Sequence, residues 1–178
     1  MADVREIVKE DRGLLKRFQA FLPGYKKYRN CEDLRVADDL LRRELAKELG
    51  SVEEMVKMGR EEANRNMDLD QVNTIGELVN YSHKITEKVR HAEQGYAPWI
   101  SGDVRIEEDQ LHDLYDYDLA MFHYMEKLKT LADTLKDQYR SQDPGRSVTA
   151  GDLRNLLREF EGIFDMRISK VTRVAQEK

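Results

Sequence analysis

Four histidines, a run of acids and a crowd of aromatic side chains are the residues here whose types could do chemistry. The histidines are His83, His91, His112 and His123. A carboxylate-bridged di-metal bundle needs a Glu-x-x-His pair from each of two helices and two further inward-facing glutamates. Only Asp109 and His112 approach that spacing, because Asn80, Lys88 and Ala120 stand three residues before the other histidines. No His-Glu-x-x-His run occurs. The histidines are therefore expected to be exposed or capping groups, and no metal or cofactor is expected.

Glu107, Glu108, Asp109, Asp113, Asp116 and Asp118 form an acid-rich run. Acids in the first turn of a helix interact favourably with its dipole, which accounts for the first three. Asp118 is different, because it falls on the apolar seam of the helix that follows. A carboxylate taken out of water needs a partner, so an Arg or Lys is expected across the bundle. The competing reading makes Asp118 a catalytic carboxylate. Tyr115, Tyr117, Tyr124 and Tyr139 share that helix with Phe122, and Tyr96 and Trp99 precede it. Core closure explains such rings. The alternative is a small-molecule or enzymatic site between Tyr96/Trp99 and Asp113–His123, lined by Tyr96, Trp99, Tyr115, Asp118 and His123.

Arg12–Arg29 is the most polarised segment. It holds Arg12, Lys16, Arg17, Lys26, Lys27 and Arg29, with no acid, alongside Leu14, Leu15, Phe18, Phe21 and Leu22. A basic amphipathic segment can lie on an anionic membrane or dock a protein. Lys16, Arg17, Phe18, Phe21, Lys26, Lys27 and Arg29 are the candidate contacts. The competing reading packs this segment intramolecularly, with its bases facing the acid-rich helix.

The elements that must position these residues are helical. Charged residues make up 37% of the 178-residue chain and apolar ones 40%, with only three prolines, a mixture suited to long amphipathic helices. Apolar spacing predicts helices over about residues 3–22, 30–49, 52–66, 69–93 and 107–140, and a last one from Thr149. Pro23-Gly24 stops the first. Gly50 suits a C′ position and Ser51 an N-cap, with Glu54 completing a capping box, so a break is expected there. The 52–66 segment is thin in apolar residues, and is expected to be exposed or continuous with its neighbour. Gly95–Arg105, with Pro98 and Gly102, and the Asp143-Pro144-Gly145 turn separate the later helices.

The 107–140 helix carries the clearest pattern. Leu111, Leu114, Asp118, Met121, Met125, Leu128, Ala132, Leu135 and Tyr139 alternate by three and four, a coiled-coil-like seam. At 1.5 Å per residue the helix is ~50 Å long. If it outran its partners, an exposed seam would favour a dimer. The expected fold is all-α, an antiparallel bundle of five to six helices in a single domain over 1–178. Within it, residues 69–175 form a three-helix unit, and the helices of 1–66 complete it or pack across one end.

Pro23-Gly24-Tyr25 through Tyr28-Arg29, then Glu32-Asp33-Leu34-Arg35, Ala37-Asp38, Leu41-Arg42 and Leu45-Ala46, form one stretch of a resemblance. Gly95-Tyr96 and Glu107–Leu119, with its Leu-Tyr-Asp-Tyr-Asp-Leu core, form the other. The chain resembles a family of small prokaryotic all-helical proteins that has no established activity. The resemblance implies the helical class and no site residues.

The net charge of −5 carries no basic excess, so nucleic acid is not an expected partner. The single cysteine, Cys31, cannot form an internal disulfide, which fits a reducing cytoplasm. No apolar run is long enough to span a membrane, and charges stand in Met1–Glu6 where a signal peptide would need an apolar stretch. No Gly-rich phosphate loop or Gly-x-Ser-x-Gly elbow occurs. These features favour a non-enzymatic interaction or scaffold protein, self-associating or bound to a protein partner, with a membrane surface as a further partner.

Overall fold

The structure is a computed structural model and describes residues 13–22, 34–92 and 108–176. Among them are five α-helices and no strand: α1 (Leu14–Phe21), α2 (Leu34–Arg65), α3 (Leu69–His91), α4 (Glu108–Ser141) and α5 (Arg146–Gln176). The protein is an all-α helical bundle. The predicted start of the first helix, the Pro23-Gly24 stop and the 95–105 loop lie outside the described residues. So do Tyr96, Trp99, Lys26, Lys27 and Arg29, and the side chains of His112 and Asp113.

The expected break at Gly50-Ser51 does not form, and α2 runs through it. The reason is visible in the stripe Leu41, Leu45, Leu49, Val52, Val56 and Ala63, all buried. A glycine inside a helix costs ~1 kcal/mol. Each large apolar side chain kept in the core returns ~1.5–3 kcal/mol, so continuity outweighs a local cap. The last helix likewise begins at Arg146, before the predicted Thr149, directly after the 142–145 turn.

The chain divides into two compact units. Unit 2, residues 46–88 and 124–161, draws on four helices. Its polarity follows from which residues meet. Glu53 meets His83, while Gly59 faces Ile75, so α2 and α3 run antiparallel. Gln71 meets Ser147, Glu77 meets Arg154 and Tyr81 meets Glu161, so α3 and α5 run parallel. Lys129 reaches Glu48, and Tyr139 lies against Gly59, so α2 and α4 are parallel too. The result is an up-down-up-down arrangement around Val56, Ile75, Ile85, Leu128, Leu135, Leu153 and Phe160. Ser82 and Thr86 are buried, and their hydroxyls donate back to the Leu78 and Ser82 carbonyls.

Unit 1 comprises residues 1–45, 89–123 and 162–178. Its described core gathers Leu14, Phe18, Leu22, Leu41, Leu114, Met121, Phe122, Phe164 and Val171. On α4, the seam residues Leu114, Asp118, Met121, Met125, Leu128, Ala132, Leu135 and Tyr139 are all buried within the chain. The stripe that could have formed a dimer face is therefore already covered by this chain's own helices.

Candidate functional site

The acid on the α4 seam has the partner that its position requires. Arg167 of α5 donates through Nε to Asp118 Oδ1 and through Nη1 to Asp38 Oδ1 of α2. Arg42, one turn on from Asp38, donates through Nε to Asp38 Oδ2 at 2.6 Å. Its Nη1 donates to the Arg90 carbonyl at 3.2 Å, in the last turn of α3, where carbonyls have no helical partner. The exposure of Asp118, Asp38, Arg167 and Arg42 is 1%, 1%, 2% and 3%. All four belong to unit 1.

The quartet is formally neutral, with two guanidinium groups against two carboxylates. Charges taken out of water are tolerated when each is paired and hydrogen-bonded. An arginine stays protonated, so neither guanidinium can serve as a general base. With Asp38 held on both oxygens and Asp118 held by Arg167, the arrangement ties three helices together and caps a fourth.

Sequence reasoning located Asp118 and its need for a cation, and missed the other three residues. The signal was present. Asp38 and Arg42 sit four apart beside Leu41 and Leu45 on the α2 stripe. Arg167 continues the spacing of Phe160, Phe164 and Val171. Charged residues in apolar register are what a buried ion network looks like in one dimension.

The other candidates are dispersed. On α1, Leu14 and Phe18 are buried, and Leu22 just beyond it is buried as well. Phe18 and Phe21 meet Phe122, with ring centroids 5.6 and 4.8 Å apart. Lys16 and Arg17 are exposed, and so is Leu15 beside them. Tyr115 and His123 are half-buried. His83 is largely exposed, with Nδ1 3.2 Å from Glu53 Oε1, while Lys57 bonds that same oxygen at 2.8 Å. Among the described residues, no three His, Cys, Asp or Glu side chains gather closely enough to hold a metal ion.

Unit 2 carries two further polar features. Glu161 of α5 accepts from Tyr81 at 2.8 Å, Lys88 at 2.9 Å and Lys84 at 3.3 Å. Burial pulls its carboxyl up, but the bonds from Lys88, Tyr81 and Lys84, with the Lys88 charge, more than reverse this and hold it at about 2. Burial, then the bond to Glu161, pushes the Tyr81 hydroxyl up to about 12. An open groove of about 430 Å³ lies between α2 and α3, lined by Lys57, Arg60, Glu61, Asn64, Val72 and Val79. Its lining mixes two cations and an acid with amide and apolar groups.

Comparisons with protein-family models, curated proteins and solved structures find no match to this chain. Among the described residues, no helix is long and apolar enough to cross a membrane.

Proposed function

We propose that the chain is a non-enzymatic helical-bundle interaction or scaffold protein of the cytoplasm, which docks through the basic segment Leu14–Arg29. The observation that carries the reading is the division of α1 into two faces. Its apolar side, Leu14 and Phe18, is turned into unit 1, and Lys16 and Arg17 are left outside. A helix that has already buried its greasy face cannot insert deeply into lipid, so its docking would be electrostatic. The surface it suits is anionic: a membrane with acidic headgroups, or an acidic protein face. Occupation of Asp118 by Arg167 supports the non-enzymatic side of the reading, because the one acid on the α4 seam is not left open to a substrate.

Co-sedimentation with phosphatidylserine–phosphatidylcholine vesicles tests it. The native chain is expected to bind at low ionic strength and to be released as salt shortens the Debye length to ~8 Å at 0.15 M. Lys16→Glu, Arg17→Glu, Lys26→Glu and Lys27→Glu together should abolish binding. Failure of the native chain to bind acidic vesicles at low salt would remove the membrane form of the proposal.

A further inference from the structure

We infer that the buried layer of Asp38, Arg42, Asp118 and Arg167 is a register lock, which selects one axial alignment of α2, α4 and α5 among those that their apolar repeats allow. The three helices share one pattern. On α2, Asp38, Arg42, Leu45, Leu49, Val52 and Val56 step by four and three, and all are buried. On α5, Leu153, Leu157, Phe160, Phe164, Arg167 and Val171 step in the same way and are buried too. The α4 seam is the third such series. Each repeats every seven residues, so a slide of that length, ~10 Å along the axis, sets apolar positions against apolar positions again. Hydrophobic burial is non-directional and separates such alignments poorly.

Charge separates them. Among the described residues of the three series, the charged members are Asp38, Arg42, Asp118 and Arg167. They meet in one place, through the bonds from Arg167 to both carboxylates and from Arg42 to Asp38. Short turns already fix α2 against α3 and α4 against α5. The alignment left open is that of one pair against the other. The bond from Arg167 Nη1 to Asp38 Oδ1 crosses between them, and both side chains are almost fully buried. A slide parts these two atoms and sets an apolar member of each repeat opposite the other's charge, where no water replaces the lost bond.

Other polar contacts do not discriminate in this way. Ser82 and Thr86, buried on α3, bond to carbonyls of their own helix and so accept any alignment. Lys129–Glu48 and Arg154–Glu77 also cross between the helix pairs, but these side chains are partly exposed and return to water when parted. A single polar layer in a heptad seam fixes register at a cost in stability. The quartet has the composition and the position of such a layer.

Two variants test the lock. Asp118→Leu with Arg167→Met removes the crossing bond and leaves Asp38 bonded to Arg42. Adding Asp38→Leu and Arg42→Leu makes the whole layer apolar. Both are expected to keep native helicity by circular dichroism and to unfold at urea midpoints well above that of Arg167→Met alone. Their amide ¹H–¹⁵N spectra should nevertheless show a second set of signals for α2 and α4, as the slid alignment rises from below ~1% to ~10% or more. A nitroxide on Glu48→Cys, in a Cys31→Ser background, identifies that set. It should broaden amides around Lys129 in the native alignment, and around Phe122 or Lys136 in the slid one. Glu48→Ala with Lys129→Ala, which removes an exposed crossing bridge, should keep one set. A single sharp set of signals from the apolar-layer variant overturns the inference. So does unfolding of both layer variants, which would make the quartet a source of stability, or a second set equally strong in the Glu48/Lys129 variant.

Discussion

Arg167 on α5 joins Asp118 on α4 to Asp38 on α2 with a single guanidinium, and all three side chains are almost fully withdrawn from water. One planar group holds two carboxylates from different helices. The planar fork of arginine, with its five donors, fixes the direction of both bonds, which the point charge of a lysine ammonium does not.

Removal of that group should therefore be severe. Arg167→Met takes the guanidinium away from Asp118 and leaves Asp38 to Arg42, so the buried charges no longer balance and the cost is expected at ~3–5 kcal/mol. Arg167→Lys keeps the charge but can satisfy only part of the arrangement, so it should recover some of the loss. Replacing Arg167, Asp118, Asp38 and Arg42 together by apolar residues should cost less than Arg167→Met alone, because no charge is then left unpaired. Urea unfolding followed by circular dichroism measures all three. Equal losses for the single and the quadruple change would show that the pairing itself does not matter.

This relationship marks how far the sequence could be read. Helical class, the α3, α4 and α5 elements, and the need for a cation near Asp118 all follow from three–four periodicity and from the cost of burying a charge. The identity of the cation does not, because a stripe pattern says that Arg167 faces inward but not which helix it faces. Gly50-Ser51 misleads for a related reason: capping signals are local, and the burial of Val52 and Val56 that overrides them is not. Whether the seam of α4 is covered is likewise not legible from that helix alone, because the covering residues come from other helices. Met67 and Val148 carry no sequence signal of their own. That their two turns lie side by side is shown only by the Asp68–Arg146 bridge between distant parts of the chain.

The glycines of α2 separate propensity from packing. A Cβ at Gly50 meets nothing within 4 Å, and the same holds at Gly151 of α5. Gly50→Ala and Gly151→Ala should each stabilise by ~0.5–1 kcal/mol, since alanine gains helix propensity without a clash. At Gly59 a Cβ would stand 2.9 Å from Ile75 Cδ1 and 3.2 Å from the Tyr139 ring. Tyr139 is fixed by its hydroxyl, which donates to Gln71. Gly59→Ala should thus lose its propensity gain to overpacking, and Gly59→Val should destabilise by ~1–3 kcal/mol. Thermal melts of the three alanine variants give the comparison. A gain at Gly59 as large as at Gly50 would mean that α2 is free to move away from Tyr139.

Both turns of unit 2 hold a non-glycine residue at positive φ, Met67 at 55° and Gln142 at 58°. At Gln142 the bonds repeat the Met67 pattern, with Asp143 donating to the Gln138 carbonyl and Gln142 to the Tyr139 carbonyl. Left-handed backbone costs a side-chain-bearing residue ~1–2 kcal/mol, and glycine loses part of that advantage through its freer unfolded chain. Met67→Gly and Gln142→Gly are each expected to raise stability by ~0.5–1 kcal/mol. Loss of stability in either variant would exclude backbone strain as the governing factor.

Glu161 gives a pH dependence whose sign can be worked out. Its folded carboxyl lies at about 2, below the ordinary 4.5, so the folded state favours the ionised form. The stabilisation is fully present above the ordinary value and is lost as pH falls from there through about 2, where the folded protein takes up the proton that the unfolded chain already binds. Three donors converge on this carboxylate, and bonds to a charged group contribute ~1.5–3 kcal/mol each at most. The exposure of Lys84 and Lys88 brings the total toward the lower end of that range. Glu161→Gln should cost ~1–3 kcal/mol at neutral pH and progressively less in acid, so the native and variant stability curves converge between about pH 5 and pH 2. Urea midpoints measured across that interval decide the matter. Parallel curves, with a gap that does not close in acid, would place the effect of the substitution in packing and leave the carboxylate charge with no share in holding α3 to α5.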